Sequence, residues 1–363
     1  MKTFSPQAIY IERGAEAYPL SKRVIKNFPS VPVSKNASRK SILEEINATE
    51  ADPFGASKKI LFLSKFEGSF LKKCPGISPG MVCCNYYIVN LTSNCIYDCS
   101  YCVLQDFLEN NPILQAFVNL EDVLSELGEI FAEHPDRTFR VGTGEIADSL
   151  ALDEVIPHSD ILVPFFNRQK NAVVELKTKS SCVSNLLKHD PKNVVISWSI
   201  NPAEIVDSEE KGTASLESRI EAAKLCQERG FKIGFHFDPI IIFPNWEKAY
   251  KELTDTIFNN LNPENIEWIS LGSFRYRPNL KKVVKQRHPE TILFNSEHVP
   301  SEDGKFRYLR PLRNEAYDTI RNYIKERADN IGVYLCMETK EVWETVTGKL
   351  PRSDKKLDQF FDL

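Results

Sequence analysis

The sequence predicts an α/β protein, a (β/α)6 partial barrel with an N-terminal extension and a basic C-terminal helix/hairpin region. Three observations predict it. Short apolar runs alternate with helical stripes from about residue 86 to residue 274, the pattern of a parallel sheet with right-handed crossovers. The first of those runs opens straight into a loop carrying three cysteines, and in curled parallel sheets the chemistry gathers at the C-terminal strand ends. The length of 363 residues suits one large domain or two modest ones and is ample for a core.

Residues 1–60 read as an extension, 61–275 as the barrel, and 276–363 as a basic region packed on it. In the extension, Ile9-Tyr10-Ile11 suggests a strand, and Leu20, Val24, Ile25 and Phe28 lie at helical spacing. Pro32 makes Val31-Pro32-Val33 extended, and the polar stretch 34–50 reads as a surface connection. Leu61-Phe62-Leu63 suggests a strand ahead of the barrel, whose first strand is Tyr86–Leu91. Asn119 looks like a helix N-cap, with Glu121 and Asp122 in the first turn and a stripe of Val123, Leu124, Leu127, Ile130 and Phe131. Further strands are expected at 139–142, 172–176, 194–200, 232–237 and 266–274. Between them come helical stretches through Phe166, near 183–189, from Leu216 to Glu228 (closed by Gly230) and from Trp246 to about Leu261. The tail adds a helix from Glu315 to Ala328 and a last strand, Gly332 to Cys336.

Composition excludes several classes. No apolar run reaches the eighteen residues of a membrane span, and the N-terminus lacks the apolar core of a signal peptide. Nine cysteines without an export signal point to a reducing, cytoplasmic setting and to metal or redox work rather than disulfides. A net charge of −4 gives no global nucleic-acid signature, so any such contact rests on a local patch.

The loop Cys95-Ile96-Tyr97-Asp98-Cys99-Ser100-Tyr101-Cys102 places thiols as C-x3-C-x2-C. Three thiolates on one loop can hold three irons of a [4Fe–4S] cubane and leave the fourth open to a chelating molecule. A zinc site or structural cysteines are the alternatives; zinc commonly takes two C-x2-C-type pairs, and no second pair exists.

The spacing, with Tyr101 before the last cysteine, resembles the cluster loop of the radical S-adenosylmethionine (radical SAM) superfamily. Within it the chain resembles the spore photoproduct lyase family. The likeness runs through Cys99–Gln105, Val118–Asp122, Lys177-Thr178-Lys179, Ser197–Asn201, Gly230–Phe235, Asp238-Pro239-Ile240 and Trp246. It implies an enzyme that cleaves SAM reductively to a 5′-deoxyadenosyl radical, abstracts hydrogen and repairs thymine-dimer photoproducts in DNA. It also implies a cluster on Cys95, Cys99 and Cys102, and SAM contacts from Lys179 and Ser199, to carboxylate and ribose. Glycine-glycine-glutamate-like strings after the second strand are a superfamily feature, which makes Glu145 in Gly142-Thr143-Gly144-Glu145 a ligand for the SAM ammonium.

Two departures stand out. The family's hydrogen-donating cysteine belongs at the end of the second strand, where this chain has Glu145, and Val103 replaces a tyrosine after the third cysteine. Tyr101 remains, and Cys336, closing the last strand, is the candidate replacement donor. Cys74, Cys83, Cys84 and Cys336 could alternatively bind a second cluster or metal, with Cys74, Cys83 and Cys84 entering from the far end of the barrel unless their segment folds back. His236 and Asp238 are candidates for adenine or substrate contacts.

In the tail, Arg275, Arg277, Arg307 and Arg310 interleave with aromatic residues, as phosphate binding and base stacking to DNA would need. A reducing partner such as flavodoxin or ferredoxin is implied, and the chain is expected as a monomer. Two other functions remain open: a radical SAM enzyme acting on another nucleoside, nucleic acid or peptide, and a non-catalytic Fe–S protein that binds or senses nucleic acid.

Overall fold

The computed structural model describes residues 4–348, apart from 77, 79 and 83, so Cys83 lies outside the described residues. Seven parallel strands form the curled sheet: β1 (Tyr87–Val89), β2 (Phe139–Gly142), β3 (Ala172–Thr178), β4 (Val194–Ser199), β5 (Lys232–Ile240), β6 (Ile266–Ser273) and β7 (Gly332–Leu335). An antiparallel edge strand, Leu71–Lys73, pairs with β1 to make eight. All six expected strands are present, and the strand predicted in the tail joins the same sheet beside β6. The central strands are buried on both faces: every residue of β4 is covered, as befits a parallel sheet flanked by helices.

A second sheet of five strands sits alongside, in the order Val33–Lys35, Ala8–Ile11, Ile60–Ser64, Gln115–Phe117, Thr92–Ser93. Its apolar residues Ile9, Ile11, Leu61 and Leu63 belong to the same core as Trp198 and Phe235 of the large sheet. The stretch 34–50 is not merely a connection. Arg39–Thr49 is a helix whose Ser38 hydroxyl caps the Ser41 amide at 3.1 Å, and it buries Ile42 and Ile46 against Phe62 and Ile113. Two apolar residues four apart were too thin a stripe to stand out in a polar run.

The helices Leu216–Glu228 and Trp246–Asn260 lie where periodicity placed them. Asn119 does begin the helix Leu120–Glu133, but its side chain makes no cap bond there; its Oδ1 accepts from the Phe66 amide at 2.9 Å. Arg275–Tyr276, Phe306–Tyr308 and His298–Pro300 form a three-stranded hairpin sheet over a small core of Phe274, Tyr276, Leu280, Val284, Leu293 and Tyr308. Among the described residues, no helix is long and apolar enough to cross a membrane.

Candidate active site

The cysteine loop leaves the sheet beyond β1 and is pinned at its middle. Asp98 and Cys99 form a two-residue antiparallel ladder with Lys211 and Glu210, placing Cys99 opposite Glu210. The Ser100 amide donates to the Glu209 carbonyl at 2.8 Å, and the Cys102 amide turns back to the Cys99 carbonyl at 3.1 Å. Cys99 is buried; Cys95 and Cys102 are half-buried, and all three border one apolar patch around Tyr97 and Ala151. Burial pushes the Cys95 thiol up to about 12, aided by Asp148 and opposed by Lys58. Burial and the Glu210 carboxylate push Cys99 well above the usual thiol range, with Cys102 and Cys95 adding to the effect.

Cys95 and Cys99 are thus held as thiols in poorly hydrated space, where an iron ion can take the place of the proton. Among the described residues, no three His, Cys, Asp or Glu side chains are grouped as one metal ion requires. Three thiols on one loop, bordering one patch, fit three irons of a site-differentiated [4Fe–4S] cluster better than zinc, which commonly takes four ligands.

Two sequence-remote candidates meet beside Tyr101 of this loop. Lys179 follows β3 and Ser199 ends β4; the Lys179 ammonium donates to the Ser199 hydroxyl and lies 3.6 Å from Glu210 Oε1. The Tyr101 hydroxyl donates to the same Glu210 oxygen, and the Asn201 amide adds a bond at 3.0 Å. Burial alone would raise Glu210, but the Lys179 ammonium and Arg219 guanidinium outweigh it and hold the carboxyl at about 2. Burial and the Glu210 charge push Tyr101 far up, so its O–H persists. Asp148 fastens the loop after β2 to the end of β3: Oδ1 accepts from the Ala151 amide at 2.8 Å and Oδ2 from the Lys179 amide at 2.6 Å.

Glu145 and Cys336 occupy a neighbouring cage of charge. Glu145 is raised by burial, with Lys177 and Arg275 opposing and Asp238 adding. The Cys336 sulfur accepts from Arg275 Nη2 at 3.7 Å, and burial pushes its thiol up to about 12 despite Arg275. Arg275 grips Asp238 in a two-pronged pair at 2.9 and 3.3 Å. Asp238 bridges the two groups, since its backbone carbonyl also accepts from the Ser199 hydroxyl at 3.2 Å. The approach is tight. A Cβ on Gly142 would lie 1.6 Å from the Tyr86 hydroxyl, and one on Gly144 only 3.0 Å from the Lys177 carbonyl.

Some expectations are corrected. Cys74 and Cys84 do fold back: Met81 bridges Thr339 and the Val82 amide donates to the Glu338 carbonyl at 2.8 Å, laying their segment beside the chain after β7. Cys83 lies outside the described residues, so the four-cysteine set Cys74, Cys83, Cys84 and Cys336 stays an expectation. His236 is not at the mouth. It is a buried strand residue bonded to Glu175 at 2.7 Å and Ser270 at 2.6 Å, within a network that also holds Arg140.

Two arginines expected to face DNA are turned inward. Arg275 serves Asp238, and the fully buried Arg307 pairs with Asp303 at 2.8 Å, because a guanidinium excluded from water needs a carboxylate partner. Arg277 and Arg310 remain about half exposed, at 53% and 56%, with Asp106 and Glu341 nearby.

Sequence reasoning missed Glu210, Asp148 and Arg219. Glu209-Glu210 looks like an ordinary acidic pair, and no local pattern marks either glutamate as buried.

A curled parallel sheet carrying a three-thiol loop beyond its first strand, with a cation and hydroxyl at neighbouring strand ends, defines a radical SAM barrel. Comparisons with known proteins agree. The family model for spore photoproduct lyase matches residues 4–336, so the chain belongs to the spore photoproduct lyase family. It is 25% identical over 341 residues to the spore photoproduct lyase of Geobacillus sp. (strain Y412MC61), covering 89% of this chain and 96% of that protein. To the lyase of Bacillus subtilis (strain 168) it is 24% identical over 343 residues, 88% of this chain and 95% of the relative. A solved mutant spore photoproduct lyase with bound AdoMet and dinucleoside spore photoproduct shares the fold, with a TM-score of 0.81 at 24% identity over 93% of this chain and all of the other.

Proposed function

We propose that this chain is a radical SAM lyase that repairs a thymine-dimer photoproduct in DNA. One observation carries the reading: Tyr101, Lys179 and Ser199, from three separate stretches, meet around Glu210 against the cysteine loop. Cys95, Cys99 and Cys102 hold the [4Fe–4S] cluster, which when loaded supplies the electron that splits SAM into methionine and a hydrogen-abstracting 5′-deoxyadenosyl radical.

The chain's own residues position and protect. Lys179 offers its ammonium to the SAM carboxylate and Ser199 its hydroxyl to the ribose, the two already aligned by their mutual bond. Glu145 receives the SAM ammonium. Cys336 keeps its hydrogen at neutral pH because burial holds the thiol protonated, and it stands in the cage that Glu145 shares. Its S–H bond breaks as the substrate C–H bond forms, and the thiyl radical left on Cys336 is what Tyr101, beside the cluster loop, would reduce as the relay residue. Arg277 and Arg310 are the half-exposed cations for DNA phosphates, and the lesion leaves the base stack to reach the mouth. A flavodoxin or ferredoxin serves as electron source.

The test is anaerobic incubation of the reconstituted protein with reductant, SAM and dinucleoside spore photoproduct. Recovery of thymidine supports the reading; SAM cleavage with the photoproduct untouched overturns it. A second reading follows from the resemblance, which implies a donor thiol where this chain has Glu145: a family offshoot acting on another substrate. Deuterium transfer from that substrate into 5′-deoxyadenosine identifies it.

A further inference from the structure

The cysteine loop is held by two cations that lie far from it in sequence. Lys58 caps the short helix Pro53–Ser57, and its ammonium donates to the Tyr97 carbonyl and, at 3.1 Å, to Asp98. Arg287, the last residue of the helix Pro278–Arg287, reaches Asp98 at 3.1 Å, Asp52 at 2.8 Å and the Gln105 side chain. Both cations lie over the ring of Phe54, at 4.7 and 4.9 Å from its centroid. Phe54 packs with Leu104 and Leu108, and Cys95 and Cys102 pack against that same group.

Formal charge in this clamp cancels, two cations against Asp52 and Asp98, but exposure does not. Lys58 and Arg287 are 6% and 10% exposed, whereas Asp98 and Asp52 are 34% and 48% exposed. Water and salt screen the exposed carboxylates more than the buried cations, so the clamp itself adds a net positive contribution at the loop, which at Cys95 opposes the Asp148 carboxylate. A one-electron reduction of a cluster adds one negative charge and moves no atom. A fixed positive field favours that added charge, and neighbouring charge is one of the levers that set cluster potentials.

We propose that Lys58 and Arg287 are positioning residues that raise the reduction potential of the cluster held by Cys95, Cys99 and Cys102, in addition to fixing the loop. The inference rests on the cluster reading above and concerns its energetics rather than its existence. A cationic clamp on the loop that carries the thiols stabilises the reduced state before any substrate arrives.

Reconstituted wild type, Lys58→Met, Lys58→Arg, Arg287→Met and the exposed control Lys282→Met are titrated electrochemically, with the reduced cluster followed by electron paramagnetic resonance. The midpoint potential is expected to move negative in Lys58→Met and Arg287→Met and to stay at the wild-type value in Lys58→Arg and Lys282→Met. If Lys58→Met fails to fold, Arg287→Met carries the same measurement. Methionine variants with full iron content and an unmoved potential overturn this inference alone. A wild type that binds no iron after reconstitution overturns the cluster reading with it.

Discussion

The ammonium of Lys179 donates a hydrogen bond to the hydroxyl of Ser199, joining the residue just beyond one barrel strand to the last residue of the next. β3 and β4 are parallel neighbours, so their C-terminal ends are level and the two side chains meet without a loop to mediate them. Glu210 stands behind the lysine, its Oε1 3.6 Å from the ammonium.

Lys179→Ala and Ser199→Ala should therefore weaken SAM binding with the cluster retained. A charge-assisted bond contributes about 1.5–3 kcal/mol, so Lys179→Ala is expected to lose roughly tenfold to a hundredfold in affinity, and Ser199→Ala less. Equilibrium binding of SAM to reconstituted protein, with iron content as control, measures it.

Cys336→Ser keeps the size and removes the weak S–H bond. SAM cleavage should continue while photoproduct repair falls by at least about tenfold, equivalent to about 1.4 kcal/mol on the barrier. Measuring both products in the same reaction separates donor from scaffold. Repair at the wild-type rate would assign the hydrogen to another group.

Gly142 is a packing requirement. Alanine there drives its methyl into the Tyr86 ring, with contacts of 1.6 Å to the hydroxyl and 2.2 Å to the ring carbon bearing it. Overpacking of this kind costs roughly 1–3 kcal/mol. Thermal or urea unfolding should show Gly142→Ala destabilised. The double mutant with Tyr86→Ala should be less destabilised than the sum of the singles.

His158 gives a pH dependence away from the candidate site. It is buried, its Nε2 has no hydrogen-bond partner among the described residues, and burial pushes it down from 6.5 to about 4. Between those values the unfolded chain takes up a proton that the folded chain refuses, so stability falls as pH falls through that window. The loss approaches about 3 kcal/mol at the acid end. His158→Leu should abolish this component, so the stability difference between variant and wild type grows in the variant's favour from about pH 7 to about pH 4.5. Urea denaturation at several pH values reads it, and parallel curves would refute the assignment.

How much was legible in the chain differs by element. The six barrel strands and the helices Leu216–Glu228 and Trp246–Asn260 were readable because buried parallel strands are apolar runs and their covering helices carry apolar stripes. The helix Arg39–Thr49 was not, since it buries only Ile42 and Ile46. Arg275 and Arg307 were read as exposed because a sequence states charge but not which acid folds against it; Asp238 and Asp303 decided that.

By itself the sequence determined the alternation that makes a curled parallel sheet, the three-thiol spacing, and the likeness that placed Lys179, Ser199 and Glu145. Those are properties of order along the chain. Only the tertiary structure decided that Glu210 would be the fully buried acid shared by Tyr101, Lys179 and Arg219, and that Lys58 and Arg287 would clamp the cysteine loop from opposite ends of the chain. Burial and electrostatic pairing depend on distance in space, and residues that share no local pattern are brought into contact only when the sheet curls.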